Sequence, residues 1–221
     1  SAGPTFDWQH SNDSDLDEWI EEHWTTLLQE EGAMLLLPGF QSEATALQRT
    51  GKATLRELIS VLRRHGARNI IADHEPEDRV FGGAHLQGKI DLCYETEAGE
   101  MVVVDLKFGG RDDRRAEVAN NTALQLAVYG FLIAGDGFDT TPKSAFYILT
   151  NQRWITGDGA FFGVPGEKPG KFGEPDMKTC WNRFQDVWKW RRDQLDKRRL
   201  EVTFKESKGA DKQASGDLET E

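Results

Sequence analysis

Apolar and aromatic side chains recur with helical spacing near the start of the chain. Trp19, Ile20, His23, Trp24, Leu27 and Leu28 predict a helix over residues 14–31, with Ser14 and Asp17 read as its capping box. A second stripe, Leu47, Leu55, Leu58, Ile59 and Leu62, predicts a helix from Glu43 to His65, ended by Gly66. The pattern then shortens into β-rich runs at Asn69–Asp73, Leu86–Tyr94 and Met101–Phe108. A helix is predicted over Val118–Ala134, a strand over Ser144–Thr150 and a Trp-rich closing helix over Pro175–Leu200. Between the last two, residues 156–176 hold six Gly and three Pro and read as a long loop. Strands in the middle with helices on both sides predict an α/β or α+β domain around a mixed sheet. One domain over residues 1–204 is expected, followed by a polar, disordered tail over 205–221.

Charge at first argues against a polyanionic substrate, because the 221 residues carry a net −11. That charge is unevenly spread. Residues 1–31 contain nine acids and no Lys or Arg, and residues 205–221 contribute −2, so the body over 32–204 is neutral. A neutral body can still present a basic groove, since binding depends on where charges lie. Cys93 and Cys180 form no CxxC-type metal pair, and their usage suits a reducing, intracellular (cytoplasmic) setting. No apolar run approaches the roughly 20 residues that span a bilayer, and no signal-peptide pattern opens the chain, so no membrane partner is expected.

The informative segment runs from Leu86 to Lys107. Two β-rich runs flank Glu97-Ala98-Gly99, a three-residue hairpin loop with Gly at the position that takes the left-handed conformation. Counting outward from that loop sets Thr96 opposite Glu100 and Asp91 opposite Asp105. Lys107 lies two residues beyond Asp105, on the same face, while Val102, Val104 and Leu106 point to the other. Two opposed carboxylates repel unless something compensates them, and a divalent cation does so. A lysine beside them can position or deprotonate an attacking water. Asp, Asp and Lys on one face therefore suit phosphodiester hydrolysis. From geometry alone a solvated Asp105–Lys107 pair, with Asp91 simply exposed, is an equal alternative.

These residues resemble a known signature. Gly88-Lys-Ile-Asp91, Val104-Asp-Leu-Lys-Phe-Gly109 and Leu124-Gln-Leu-Ala-Val-Tyr-Gly130 are similar, in order and spacing, to the GxxD, DxK and QxxxY motifs of the RecB-like branch of the PD-(D/E)XK nuclease superfamily. The resemblance covers about residues 85–131, with a weaker likeness of Trp181–Leu195 to the branch's closing helix. It implies a restriction-endonuclease-like core. It also implies metal binding by Asp91, Asp105 and the backbone carbonyl of Leu106, a catalytic role for Asp91, Asp105 and Lys107, and Gln125 and Tyr129 orienting the site and the nucleic acid. Mg²⁺ or Mn²⁺ is the implied cofactor and DNA the implied substrate. Exonuclease or processing roles, beside a helicase or inside a defence or recombination system, are the implied context.

One departure stands out. Many members of the branch carry a metal-binding His or Glu on a helix before the hairpin, and here the helix reads Gly51-Lys-Ala-Thr-Leu-Arg-Glu57, without a His near its start. Glu57 is the residue assigned to that place, with a solvated partner of a neighbouring Arg or Lys as its alternative reading. Glu75 is a second candidate. Without such a ligand, a catalytically weak nuclease-fold module that binds nucleic acid or protein is the competing reading, and a purely structural interaction domain is a third. The Gly/Pro loop with Phe161 and Phe162 is a candidate lid, with a simply mobile loop as the commoner reading. The segment Arg183–Arg199, with seven Lys or Arg among Trp188 and Trp190, is a candidate phosphate-contacting surface, while Trp181, Phe184, Trp188 and Leu195 read first as the inward core face of the same helix.

Overall fold

The computed structural model describes residues 6–135 and 141–199. The expected disordered tail therefore lies outside the described residues. The chain divides into two units, Ser1–Gln185 and Asp186–Glu221. Every strand among the described residues belongs to the first.

Two helices open that unit, α1 (Asp13–Glu31) and α2 (Gln41–Arg64), joined through a 3-10 turn at Ala33–Leu36. The cap of α1 is Asn12, not Ser14. Its side chain accepts hydrogen bonds from the Ser14 and Asp15 amides, and the Asn12 amide donates to the Asp15 carboxylate, so the capping box sits two residues earlier than expected. Leu16 and Ile20 of α1 bury against Ile59 of α2. Part of the acidic face of α1 is answered by α2, through Lys52–Glu21 at 2.6 Å and an Arg56–Asp17 contact.

Seven strands follow: β1 (Arg68–His74), β2 (Arg79–Phe81), β3 (Ala84–Leu86), β4 (Ile90–Glu95), β5 (Met101–Lys107), β6 (Lys143–Ile148) and β7 (Arg153–Ile155). Five of them form one sheet in the order β1-β4-β5-β6-β7, and β2 and β3 pair separately. Only the β5–β6 pairing is parallel, so the sheet is mixed. The helices α3 (Arg111–Ala119) and α4 (Leu124–Ala134) supply the crossover between those two strands. After β7 come a short helix, α5 (Gly159–Phe162), and the closing helix α6 (Met177–Asp196). No described helix is long and apolar enough to cross a membrane.

Both faces of the sheet are covered, which is why β5 reads as an almost unbroken Val run. Val61 and Leu62 of α2 pack on Leu92, Tyr94, Val102, Val104, Tyr147 and Trp154. On the other face Ala127, Phe131 and Leu132 of α4, with Cys180 and Trp181 of α6, pack on Cys93 and Val103. Phe146, Ile148 and Ile155 join that side against Val118 of α3 and Leu126 of α4. The two cysteines are buried and free.

Three expected elements are divided differently. The predicted strand Leu86–Tyr94 is interrupted at 87–89, and its first residue belongs to the separate β2–β3 hairpin. The predicted helix Val118–Ala134 is two helices, because Asn121 takes a left-handed φ of 50° and breaks the turn. The Gly/Pro loop is tied down: Phe162 is fully buried among Trp154 and Val61, and the Phe161 ring lies tilted against that of His65, 4.3 Å between centroids. Phe162 thus anchors the loop to the core, while Phe161 is half-buried and Phe172 is exposed.

Candidate active site

The hairpin between β4 and β5 sets the site. Gly99 has φ +80°, and the Thr96 amide donates to the Glu100 carbonyl at 2.9 Å. From this turn the pairs run Glu95–Met101, Tyr94–Val102, Cys93–Val103 and Leu92–Val104, so the next opposed positions are Asp91 and Asp105. Strand alternation sends Val102 and Val104 under α2 and leaves Asp105 on the α4 side, beside its parallel neighbour Phe146.

Asp105 has no exposed surface. The Lys107 ammonium lies 2.6 Å from its Oδ2, yet among the described residues neither carboxylate oxygen has a partner in hydrogen-bond geometry. Burial raises the Asp105 carboxyl above the ordinary carboxylate range, Lys107 opposes that shift, and the nearby charge of Asp91 adds to it. Asp91 is held in turn by the Leu106 amide, which donates to its Oδ2 at 2.7 Å. The two carboxylates are thus fixed to the same short piece of β5, one directly and one through its backbone.

Gln125 and Tyr129 share one face of α4, and the Gln125 Nε2 donates to the Tyr129 hydroxyl at 2.8 Å. Burial raises the Tyr129 phenol; the Gln125 bond opposes this, and the charges of Asp105 and Asp91 add to it. The phenol therefore lies within the field of the carboxylate pair. Gly88 makes room for it. A Cβ there would stand 3.0 Å from Leu132 and 3.4 Å from the Tyr129 ring, so the glycine ahead of Asp91 is what lets α4 approach.

Glu57 is not brought to this cluster. It accepts a hydrogen bond from the Trp154 indole at 3.3 Å, and Trp154 and Tyr147 lie under α2 on the opposite face of the sheet. Sequence spacing on α2 could not show which sheet face that helix covers. Glu75 is exposed just beyond β1. Among the described residues no three His, Cys, Asp or Glu side chains gather as a ligand set. Sequence reasoning also passes over Arg114, whose guanidinium lies over the Phe146 ring at 5.5 Å and favours the ionised form of Asp105. Its only signal is its place on the helix that follows Lys107.

The pair fits a hard divalent cation. Carboxylate oxygens are the donors such ions take, and a buried carboxylate lacking hydrogen-bond partners beside a second carboxylate is the arrangement a cation would relieve. The candidate basic segment begins in this unit with Arg183, which is occupied: it donates to the Asn120 and Asn121 carbonyls and lies 3.4 Å over the Phe172 ring. Its remainder, from Asp186, belongs to the second unit, where Arg191 lies over the Trp190 ring.

Comparison with known proteins completes the picture. A crystal structure of protein VC1899 from Vibrio cholerae is 12% identical, covering 80% of this chain and 50% of that one, at a TM-score of 0.31. This chain thus spans about half the length of that protein, and so low a similarity adds nothing about function. No curated protein matches. The family model of the PD-(D/E)XK nuclease superfamily matches residues 7–207, and on that match, over the mixed sheet described above, the chain belongs to the PD-(D/E)XK nuclease superfamily.

Proposed function

We propose that this chain hydrolyses DNA phosphodiester bonds with Mg²⁺ or Mn²⁺, as an exonuclease or DNA-processing domain of the RecB-like branch. One observation carries the reading: Asp105 is buried one position beyond the last β4–β5 pair, Leu92–Val104, with Asp91 tied to the next amide of its strand and Lys107 at 2.6 Å. The spacing of Gly88, Asp91, Asp105, Lys107, Gln125 and Tyr129, together with the Gln125–Tyr129 hydrogen bond, supports the branch.

Asp91 and Asp105 would hold the cation, with the Leu106 carbonyl as a further donor. When bound, such an ion neutralises phosphate charge and makes a nearby water easier to deprotonate. The residues of the chain do the rest. Lys107 orients the attacking water through its ammonium and neutralises charge that builds on the phosphate oxygens. Leu106 locks the Asp91 carboxylate by its amide, so the pair keeps its spacing while substrate enters. Gln125 occupies one lone pair of the Tyr129 hydroxyl, which leaves that hydroxyl's own proton for a substrate oxygen. DNA is the proposed partner, with a helicase or another subunit of a defence or recombination system as the expected company.

A second reading keeps the fold as a weak or inactive module binding nucleic acid or protein. What favours it is Glu57, held by Trp154 away from the pair. Calorimetric titration with Mn²⁺ separates the two. Binding by the native chain, lost in Asp105→Asn, is expected for the nuclease; no binding by a folded chain would favour the module. With metal bound, degradation of linear but not circular DNA would establish the need for an end.

A further inference from the structure

Phe108 directly follows Lys107, and at 66% it is the most exposed of the large hydrophobic side chains among the described residues. Apolar surface of that size in water is unfavourable, and the chain buries comparable rings such as Phe131, Phe146 and Phe162 almost completely. Among the described residues the Phe108 ring meets no other ring and no cation. Its backbone is nonetheless fixed, since the Phe108 carbonyl accepts the Thr150 amide at 3.2 Å. The flank is open. Gly109 and Gly110 follow, and a Cβ built on either would meet nothing within 4 Å; Gly110, at φ +78°, turns the chain into α3. The Phe108 Cα thus stands about 3.8 Å from that of the proposed catalytic lysine, at the end of β5, on a fixed stem with open surface at the glycines that follow.

Resting on the nuclease reading above, we propose that Phe108 stacks on the unpaired nucleobase next to the phosphodiester held at Asp105 and Lys107, so that the site takes a single-stranded or frayed end. A base inside a duplex has both faces covered by its neighbours and cannot offer one to the ring. An unpaired base can, and stacking on an aromatic side chain is worth about 5- to 150-fold in affinity. Phe108 is therefore a substrate-binding residue that selects strand state, while Lys107 beside it meets the phosphate.

The test uses the full chain carrying Asp105→Asn, which removes turnover and the carboxylate repulsion of phosphate while leaving Phe108 in place. Dissociation constants for a single-stranded oligonucleotide and a blunt duplex are compared with and without Phe108→Ala, Phe108→Leu and Phe108→Trp, each confirmed folded by its melting temperature. Phe108→Ala is expected to weaken single-strand binding about tenfold or more and duplex binding less than twofold. Phe108→Trp should restore single-strand binding and Phe108→Leu should not. Fluorescence of a terminal 2-aminopurine base should be quenched by the parent and released in Phe108→Ala. Equal losses on both substrates, no loss on either, or full rescue by Phe108→Leu would overturn the proposal while leaving the nuclease reading intact. No oligonucleotide binding by the Asp105→Asn parent would count against both.

Discussion

The carboxyl group of Asp105 has no exposed surface, a second carboxylate as neighbour and one ammonium against it. Its pKa is raised by burial, so between the unfolded value near 4 and the folded one the native state binds more protons than the unfolded chain. Stability therefore falls as pH rises through that window, the reverse of a salt-bridged carboxylate. In EDTA at pH 7, Asp105→Asn is expected to melt about 2–4 °C higher than the native chain, the shift about 1 kcal/mol gives at this size, and the gap should close below about pH 4. Calorimetric melting against pH reads both. Gly88 makes the opposite case, a residue whose value is the atom it lacks. Gly88→Ala would push Leu132 and the Tyr129 ring by a few tenths of an ångström, lowering stability by about 1 kcal/mol and slowing cleavage, as melting and rate measurements on one preparation would show.

Among the elements, α2 and α5 are joined through His65. Its Nε2 lies 3.0 Å from the Phe161 carbonyl, which can only accept, so that nitrogen carries the proton and Nδ1 accepts from the Tyr94 hydroxyl at 2.8 Å. Burial lowers the His65 pKa, and Arg64 adds to this against the Phe161 bond and Glu100. The unfolded chain thus takes up a proton first as pH falls below about 6.5, and the stability supplied by neutral His65 is lost from there down to its folded value. The melting temperature is expected to fall between pH 7.5 and 5.5 by more in the native chain than in His65→Gln. This joint was not legible in the sequence, because 156–176 shows Gly and Pro but not that Phe162 enters the core. The hairpin was legible, since Gly99 fixes the turn and a period of two carries the register to Asp91 and Asp105. The breaks at 87–89 and at Asn121 had a signal in Gln87-Gly88-Lys89 and Asn120-Asn121-Thr122, which a reading by apolar periodicity alone runs through, and the place of Glu57 depended on which sheet face α2 covers.

At the scale of the whole molecule, the acids of α1, which supply much of the charge that first argues against a polyanionic substrate, lie against α2. Acids of α1 pair with Lys52 and Arg56 of α2, whereas the Asp91–Asp105–Lys107 cluster lies on the α4 side of the sheet. The family match over residues 7–207 fixes the kind of protein, and the metal, the DNA and the end preference are each open to direct measurement. The most direct is cleavage of end-labelled linear DNA, single- and double-stranded, by the native chain and by Asp105→Ala and Lys107→Ala, in Mg²⁺, Mn²⁺ or EDTA. Metal-dependent cutting is expected, abolished by Asp105→Ala and reduced about 10²- to 10⁴-fold by Lys107→Ala with folding unchanged. Cutting that survives EDTA, or that both substitutions leave at the native rate, would contradict a metal-dependent centre at this hairpin.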